Sequence, residues 1–327
     1  MKALKIIIVV SMMASLIVQA EEYAFGNGWQ VADSPLIVGG YVSSIADLNK
    51  NNRTVSVDDI ALLAYGEYDH VDFLAEFETV DLYKKEFTNR RDENSSGAIH
   101  VERLYGDYFF GHNERLRIGK FNSDIGFWNQ IPINVLRDTT SSPRLVSDFF
   151  PKLTTGIHYE SRQSIGAVRR VSVTLQNNRD LDIGFNNFDT YRHYAAACDI
   201  ADQEALWRFS GGYFQYEPWR EAFYLSGAVK TEQKRWTFLL ESILRHDSGE
   251  GRISYDLYAQ GVWHIRPSHD LIFRSEVEKT PLTRVHDGSA ILGYTYRPLS
   301  NVALKSEYEA HQDTLLNRWL FSFSVLF

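Results

Sequence analysis

The sequence predicts an all-β chain: a transmembrane, antiparallel, up-and-down β-barrel of about sixteen strands. Three observations predict it. The chain ends on a strand, Asn317 to Phe327, in which Trp319, Phe321, Phe323, Val325 and Phe327 alternate with Arg318, Ser322 and Ser324. One face is apolar and the other mostly polar, with period two. The same alternation recurs over the whole mature chain, without one convincing amphipathic helix. The links between strands also sort by length, short ones alternating with longer ones. An exposed terminal strand would pair with other chains, whereas a closed barrel in lipid leaves no edge.

The first twenty residues are a targeting segment. Lys2 and Lys5 precede an apolar run from Ile6 to Val18, and Val18-Gln19-Ala20 is a relaxed small-residue cleavage site. Residues 1–20 therefore read as a cleaved secretory signal peptide, with Glu21 as the mature N-terminus. No other stretch approaches the ~18 consecutive apolar residues of a membrane helix. A chain exported in this way enters a membrane, if at all, as strands.

Composition agrees. The apolar share is 44% and the aromatic share 14%. A barrel with a wet interior averages to such values, because lipid-facing and water-facing side chains alternate. Tyr and Trp favour the two membrane interfaces. Cys198 is the single cysteine, so no internal disulfide forms and the sequence argues against a cysteine-based metal site. Loss of Lys2 and Lys5 moves the formal charge from −8 to about −10. That argues against a nucleic-acid partner.

Strands read near 35–46, 57–68, 70–81, 97–110, 113–121, 152–161, 167–176, 186–197, 203–216, 219–230, 233–245, 252–265, 268–279, 287–298, 301–311 and 315–327. The strand near 186–197 rests partly on the need for an even number. In 268–279, Leu271, Phe273 and Val277 oppose Arg274, Glu276 and Glu278. In 252–265, Ile253, Tyr255, Leu257, Ala259 and Trp263 oppose Ser254, Asp256, Tyr258, Gln260 and His264. In 301–311, Val302, Leu304 and Tyr308 oppose Lys305, Glu307 and Glu309. The barrel thus occupies 35–327, after an N-terminal segment at 21–34 on the inner, periplasmic side of the membrane.

With the N-terminus on that side, Tyr68-Asp69-His70, Gly111-His112-Asn113, Arg266-Pro267-Ser268-His269 and Arg297-Pro298-Leu299-Ser300-Asn301 become short inner turns. They are rich in Pro, Gly, Asn and Asp. Segments 82–96, 177–185, 246–251 and 280–286 fall outside and are generally longer, with Asn89 to Gly97 reading as mobile. Residues 122–151, the third outer loop, hold no strand of their own, and a loop of that length usually serves function. It carries Trp128, Phe149 and Phe150, three prolines, and Asp124, Arg137, Asp138, Arg144 and Asp148. So many apolar residues predict a loop folded down against the inner wall.

At this point the chain resembles a family. The terminal Phe327 resembles the assembly signature of bacterial outer-membrane proteins. Leu116-Arg117-Ile118-Gly119-Lys120-Phe121 with Gly126-Phe127-Trp128, and Pro35-Leu36-Ile37-Val38-Gly39-Gly40-Tyr41, look like stretches of the phosphate-selective porin family and its uncharacterised relatives. The likeness covers the mature chain in layout but only these stretches in sequence. It implies a Gram-negative outer-membrane porin: a water-filled channel for passive diffusion of small hydrophilic solutes or ions. It implies a homotrimer, outer-membrane lipid around the barrel, and barrel-assembly machinery that reads Phe327. The chain departs from phosphate-selective members in its mixed inward rows. Arg115 and Arg117 share a face, Arg170 lies with Ser172 and Thr174, and His158, Glu160 and Arg162 form a row. Asp72, Glu76 and Glu78 line the third strand. A weakly selective pore is the expectation.

Acids on the loop facing bases on the wall would create a transverse field in a narrow gap. The candidate constriction sets Asp124, Asp138 and Asp148 against Arg115, Arg117 and Arg170, with Arg137, Arg144, His158 and Glu160 beside them. The chain is not expected to be an enzyme, and no cofactor or metal is expected. It holds no G-x-S-x-G, H-E-x-x-H or P-loop. His246-Asp247-Ser248 are neighbours in the outer loop read at 246–251, where catalytic spacing is accidental. His100, His158 and His264 have no ligand spacing. Another outer-membrane role (transporter, adhesin or receptor, lipid hydrolase) is the alternative.

Overall fold

The computed structural model describes residues 28–327 apart from 89–91, 95–97, 203, 218, 250 and 280–285. The signal peptide, the first half of the 21–34 segment and most of the 89–97 stretch lie outside the described residues.

Sixteen long strands form one closed antiparallel sheet. They are β1 (Leu36–Asn49), β2 (Arg53–Tyr68), β3 (Val71–Glu86), β4 (His100–Phe109), β5 (Glu114–Asn122), β6 (Leu153–Ile165), β7 (Val168–Gln176) and β8 (Thr190–Ala201). They continue as β9 (Leu206–Tyr216), β10 (Arg220–Gln233), β11 (Trp236–Asp247), β12 (Arg252–Arg266), β13 (His269–Lys279), β14 (His286–Leu299), β15 (Val302–His311) and β16 (Arg318–Leu326). Each strand pairs with its neighbour in sequence. The last closes on the first, from Arg318 opposite Asn49 to Leu326 opposite Tyr41. Phe327 then exchanges two backbone hydrogen bonds with Gly40, both 2.8 Å. A Cβ on Gly40 would collide with the Ala61 carbonyl, so the seam needs glycine there. Short strands Trp29–Gln30 and Asp92–Asn94 extend β1 and β3.

All sixteen expected strands are present. The eighth is shifted: it runs Thr190–Ala201 rather than 186–197. Residues 183–185 form a turn whose cap, Asp182, accepts the Gly184 N–H. Asn186 and Asn187 spend their side chains on Leu153 and Lys152. Both therefore belong to the preceding loop.

Both ends of the barrel domain and the short turns share one rim. There Gly111, at φ +79°, supplies the left-handed residue that the β4–β5 turn needs. The longer connections lie at the far rim, although 50–52 and 217–219 are tight as well.

The apolar rows face outward, as predicted. Leu225 is 64% exposed and Ile118 55%, while inward Glu76 and Glu241 are at 0%. Two aromatic girdles flank this band. Near the short-turn rim Trp236 stacks on Trp263 and on Phe238, both at 5.7 Å, and Tyr294 and Tyr296 lie against His269. Near the far rim Tyr194, Tyr213 and Phe223 form one group and Tyr308, Trp319 and Phe321 another. The interior differs from a uniformly wet hole: inward Phe214, Tyr224, Ile243 and Tyr258 are dry beneath the long loop.

Candidate functional site

The loop between β5 and β6 crosses the inside of the barrel. Its two ends are pinned together. The Ser123 N–H donates to the Lys152 carbonyl at 3.0 Å, and the Ser123 hydroxyl meets that of Thr154 at 2.7 Å. Asn129 bridges the same place, donating to the Ser123 and Lys152 carbonyls. From there three arms reach the wall.

The first arm meets β9 and β11. The Phe127 and Trp128 N–H groups donate to one oxygen of Glu241, at 2.8 and 2.9 Å, and Arg208 donates to the Gly126 carbonyl at 2.7 Å. Gly126 has φ +63° and any Cβ there would strike the Glu241 carboxylate, so only glycine fits. The second arm meets β13 to β16. Lys305 donates to the carbonyl and side chain of Asn134. Glu307 accepts the N–H groups of Thr140 and Ser141, and Arg274 donates to Thr139 and Ser141. The third arm includes helix α1 (Arg144–Asp148). The Arg144 N–H donates to Glu276 at 2.6 Å and Arg245 donates to the Asp148 carbonyl at 2.9 Å. Ile125, Trp128, Leu145, Val146, Phe149 and Phe150 pack on the dry wall patch, and Ile133 and Val135 pack on Tyr41, Ala61 and Leu63. The apolar residues that predicted an inward fold are the ones that make it.

The wall from β4 to β9 carries an ion network. Arg117 grips Asp107 through two bonds of 2.7 Å and lies over the Tyr105 ring. Arg115 bridges Asp107 and Glu160. Arg170 reaches Asp124, Glu160 and Asp199, and Arg208 holds Asp199 at 2.8 and 2.9 Å. Burial alone would raise the Asp124 carboxyl, but Arg208 and Arg170 hold it down at about 2. In most of these pairs the base faces water more than the acid does: Arg115 is 19% exposed against 4% for Asp107, and Arg162 63% against 3% for Glu160.

The ten sequence-derived constriction residues fall into three groups. Arg115, Arg117, Asp124, His158, Glu160 and Arg170 do come together. His158 lies 4.0 Å from Glu160 and 2.9 Å from Thr174. Arg137 and Asp138 sit elsewhere. The Arg137 carbonyl accepts from Arg297, and Asp138 accepts from Gln260 at 3.0 Å. Arg144 and Asp148 belong to the third arm. There Arg144 stands 3.6 Å from Glu278, at the edge of a cavity of about 360 Å³ that Glu309, His311 and Arg318 also line. The face-to-face arrangement of Asp124 and Arg170 is corrected: they touch at 2.9 Å, so no solute-sized gap separates them. Asp107, Asp199, Arg208, Glu241, Arg274 and Lys305 were missed. All are inward members of alternating strands, so strand parity was the signal that could have found them.

Comparison with known proteins adds the fold. No protein-family model matches the chain, and no curated protein matches it. Solved structures do. The outer membrane channel DcaP of Acinetobacter baumannii is 11% identical, with 92% of this chain and 99% of that one covered and a TM-score of 0.58. The trimer form of OmpT, an outer membrane protein of Vibrio cholerae, is 9% identical, with coverage of 89% and 99% and a TM-score of 0.61. The anion-selective porin from Comamonas acidovorans is 8% identical, with coverage of 89% and 99% and a TM-score of 0.62. At such identity the likeness carries the sixteen-stranded barrel and nothing finer.

Proposed function

We propose that the chain is a porin of the Gram-negative outer membrane: a channel for passive diffusion of small hydrophilic solutes or ions, assembled as a homotrimer. The carrying observation is the closed barrel with a greasy exterior, charged inner walls and a long loop folded across its interior. The signal-like start, Phe327 and the descriptions of the similar structures as a channel, a trimer and a porin support the same reading. The resemblance to phosphate-selective porins stops short of their dense basic ladder, since Arg115, Arg117, Arg162, Arg170 and Arg208 each have an acid beside them. A weakly selective pore with a slight anion preference fits arginines that lie over their acids.

Planar-bilayer recording tests this. Purified trimers that give stepwise conductance, with a small reversal potential toward anions under a salt gradient, support it. Protein that folds into the bilayer and conducts nothing sinks it.

An enzymatic reading has one observation in its favour. Thr237 Oγ1 lies 3.1 Å from His264 Nε2, and His264 Nδ1 lies 2.7 Å from Asp270. This is nucleophile, base and carboxylate in order. Asp270 is also tied to Arg297 at 2.7 Å, and the group faces the lumen rather than lipid. We read it as pore lining. Ester or lipid hydrolysis that disappears in Thr237→Val would reverse that.

A further inference from the structure

A second group of carboxylates lies apart from the arginine network, on β1 to β4. Glu76 and Glu78 point inward from β3 and are 0% and 4% exposed, and Glu102 of β4 is 2% exposed. Two irregularities in strand register bring in extra acids. The β2–β3 pairing skips Asp58, and the β3–β4 pairing skips Glu102. Such bulges re-aim side chains and recur beside functional sites. The second one lets Glu102 and Arg103, consecutive in sequence, both reach the same place.

Three buried carboxylates there share one guanidinium: Arg103 Nε bonds Glu76 Oε2, while among the described residues Arg103 Nη2 is left without a partner. The Tyr41 hydroxyl lies 3.0 Å from Glu78 Oε2 and 3.0 Å from Glu102 Oε2, but it has one hydrogen to give. Among the described residues Glu76 Oε1 has no hydrogen-bond partner although it is fully buried. A further buried oxygen, Ser43 Oγ, is also unpartnered. It stands on the inward face of β1, directly across from Asp59. Leaving buried carboxylate oxygens uncompensated is costly.

We propose that Glu76, Glu78 and Glu102 form a binding site for a divalent cation of calcium size. Their ligand oxygens lie within 4.8 Å of one another. Calcium binds oxygen at about 2.3–2.6 Å, so ligands on opposite sides of it stand roughly 5 Å apart. Magnesium demands near-ideal octahedral geometry and usually binds through only one or two carboxylates, so three converging carboxylates suit calcium better. An all-oxygen set with no nitrogen or sulfur ligand favours a hard cation over a transition metal. The ion would give Glu76 Oε1 its missing partner and would tie β3 to β4 beneath the Ile133–Val135 arm of the loop, which packs on Tyr41.

Terbium(III) substitutes for calcium and emits when a nearby tyrosine is excited, and Tyr41 touches two of the three ligands. Chelator-stripped, refolded trimer should take up one terbium ion per chain saturably and release it to calcium. Glu78→Gln should weaken binding at least tenfold. Tyr41→Phe should dim the emission several-fold while one ion still binds. Asp313→Asn, on an exposed link, should change neither. Stripped wild-type protein that binds no terbium saturably, or an affinity untouched by Glu78→Gln, overturns the site. If Glu78→Gln does not fold to a heat-modifiable barrel, Glu102→Gln and the wild-type calcium competition decide in the same terms.

Discussion

The two sides of the lumen hold the same loop by different physics. On the β4–β9 side, Asp124 enters a network of arginines and acids. On the β9–β12 side, Phe149 and Phe150, both at 0% exposure, press on Phe214, Tyr224, Ile243 and Tyr258. Strand β9 belongs to both, with Arg208 in the network and Phe214 in the dry patch. Apolar burial is non-directional and large. A buried ion pair gains little net energy, yet losing one partner is expensive. The dry side therefore supplies most of the holding energy, and the charged side fixes where the loop lies.

The largest effect should come from breaking the dry side. Phe149→Ala with Phe150→Ala removes two buried rings, and each such truncation costs about 3–5 kcal/mol in a core. The third arm should come away while the barrel stays closed. Single-channel conductance should rise, and the 143–151 stretch should become open to limited proteolysis. A protected loop with unchanged conductance would mean that the hydrogen bonds of the other arms hold it alone.

Arg170→Ala tests the charged side. Asp124, Glu160 and Asp199 each lose a partner, at a cost of about 3 kcal/mol. The reversal potential should move toward cations as well, because one wall guanidinium is gone. A stability loss with no change in selectivity would separate Arg170 from the conducting path.

Acid titration sharpens the same contrast with a smaller effect. The folded Asp124 carboxyl sits at about 2, below its ordinary value near 3.8. A depressed folded value gives stability that is present above the unfolded value and lost as pH falls through the folded one. Loop protection from protease should therefore hold from pH 7 to about 4 and weaken between about 4 and 2. In Asp124→Asn that acid-dependent part should vanish, while the dry contacts remain.

Much of this was legible in the residues, and the gaps have physical causes. Strand parity is a local property, so Trp319 to Phe327 and the β13 and β15 rows read correctly from spacing alone. The inward fold of the loop followed from Trp128, Phe149 and Phe150, which could not stay in water. Pairing inside the lumen is not local. Asp124 meets Arg208 across 84 positions of sequence, and nothing in spacing ranks Arg208 above Arg117 as its partner. Inward aromatics were the other blind spot. Tyr258 sits in a polar-looking row with Asp256 and Gln260, yet it is sealed beneath the loop. The cluster of Glu76, Glu78 and Glu102 needed the strand irregularity at Glu102, which alternation cannot forecast.

The smallest effect should come from a guanidinium that looks as well bonded as Arg170 but stands in water. Arg179 holds Asp189 through two bonds of 3.0 and 2.7 Å and lies 5.4 Å from the Tyr191 ring. Its side chain is 51% exposed, against 14% for Arg170. Water solvates both partners once they part, and salt screens them while they are paired. Arg179→Ala should leave the thermal midpoint, the conductance and the reversal potential within measurement error. Any residual shift should disappear at about 1 M salt, where the screening length is roughly 3 Å. The Arg170→Ala defect should persist there, since its acids are shielded from solvent ions. If Arg179→Ala proved as damaging as Arg170→Ala, burial would not be what sets the worth of an arginine in this barrel, and the division between its two inner walls would lose its basis.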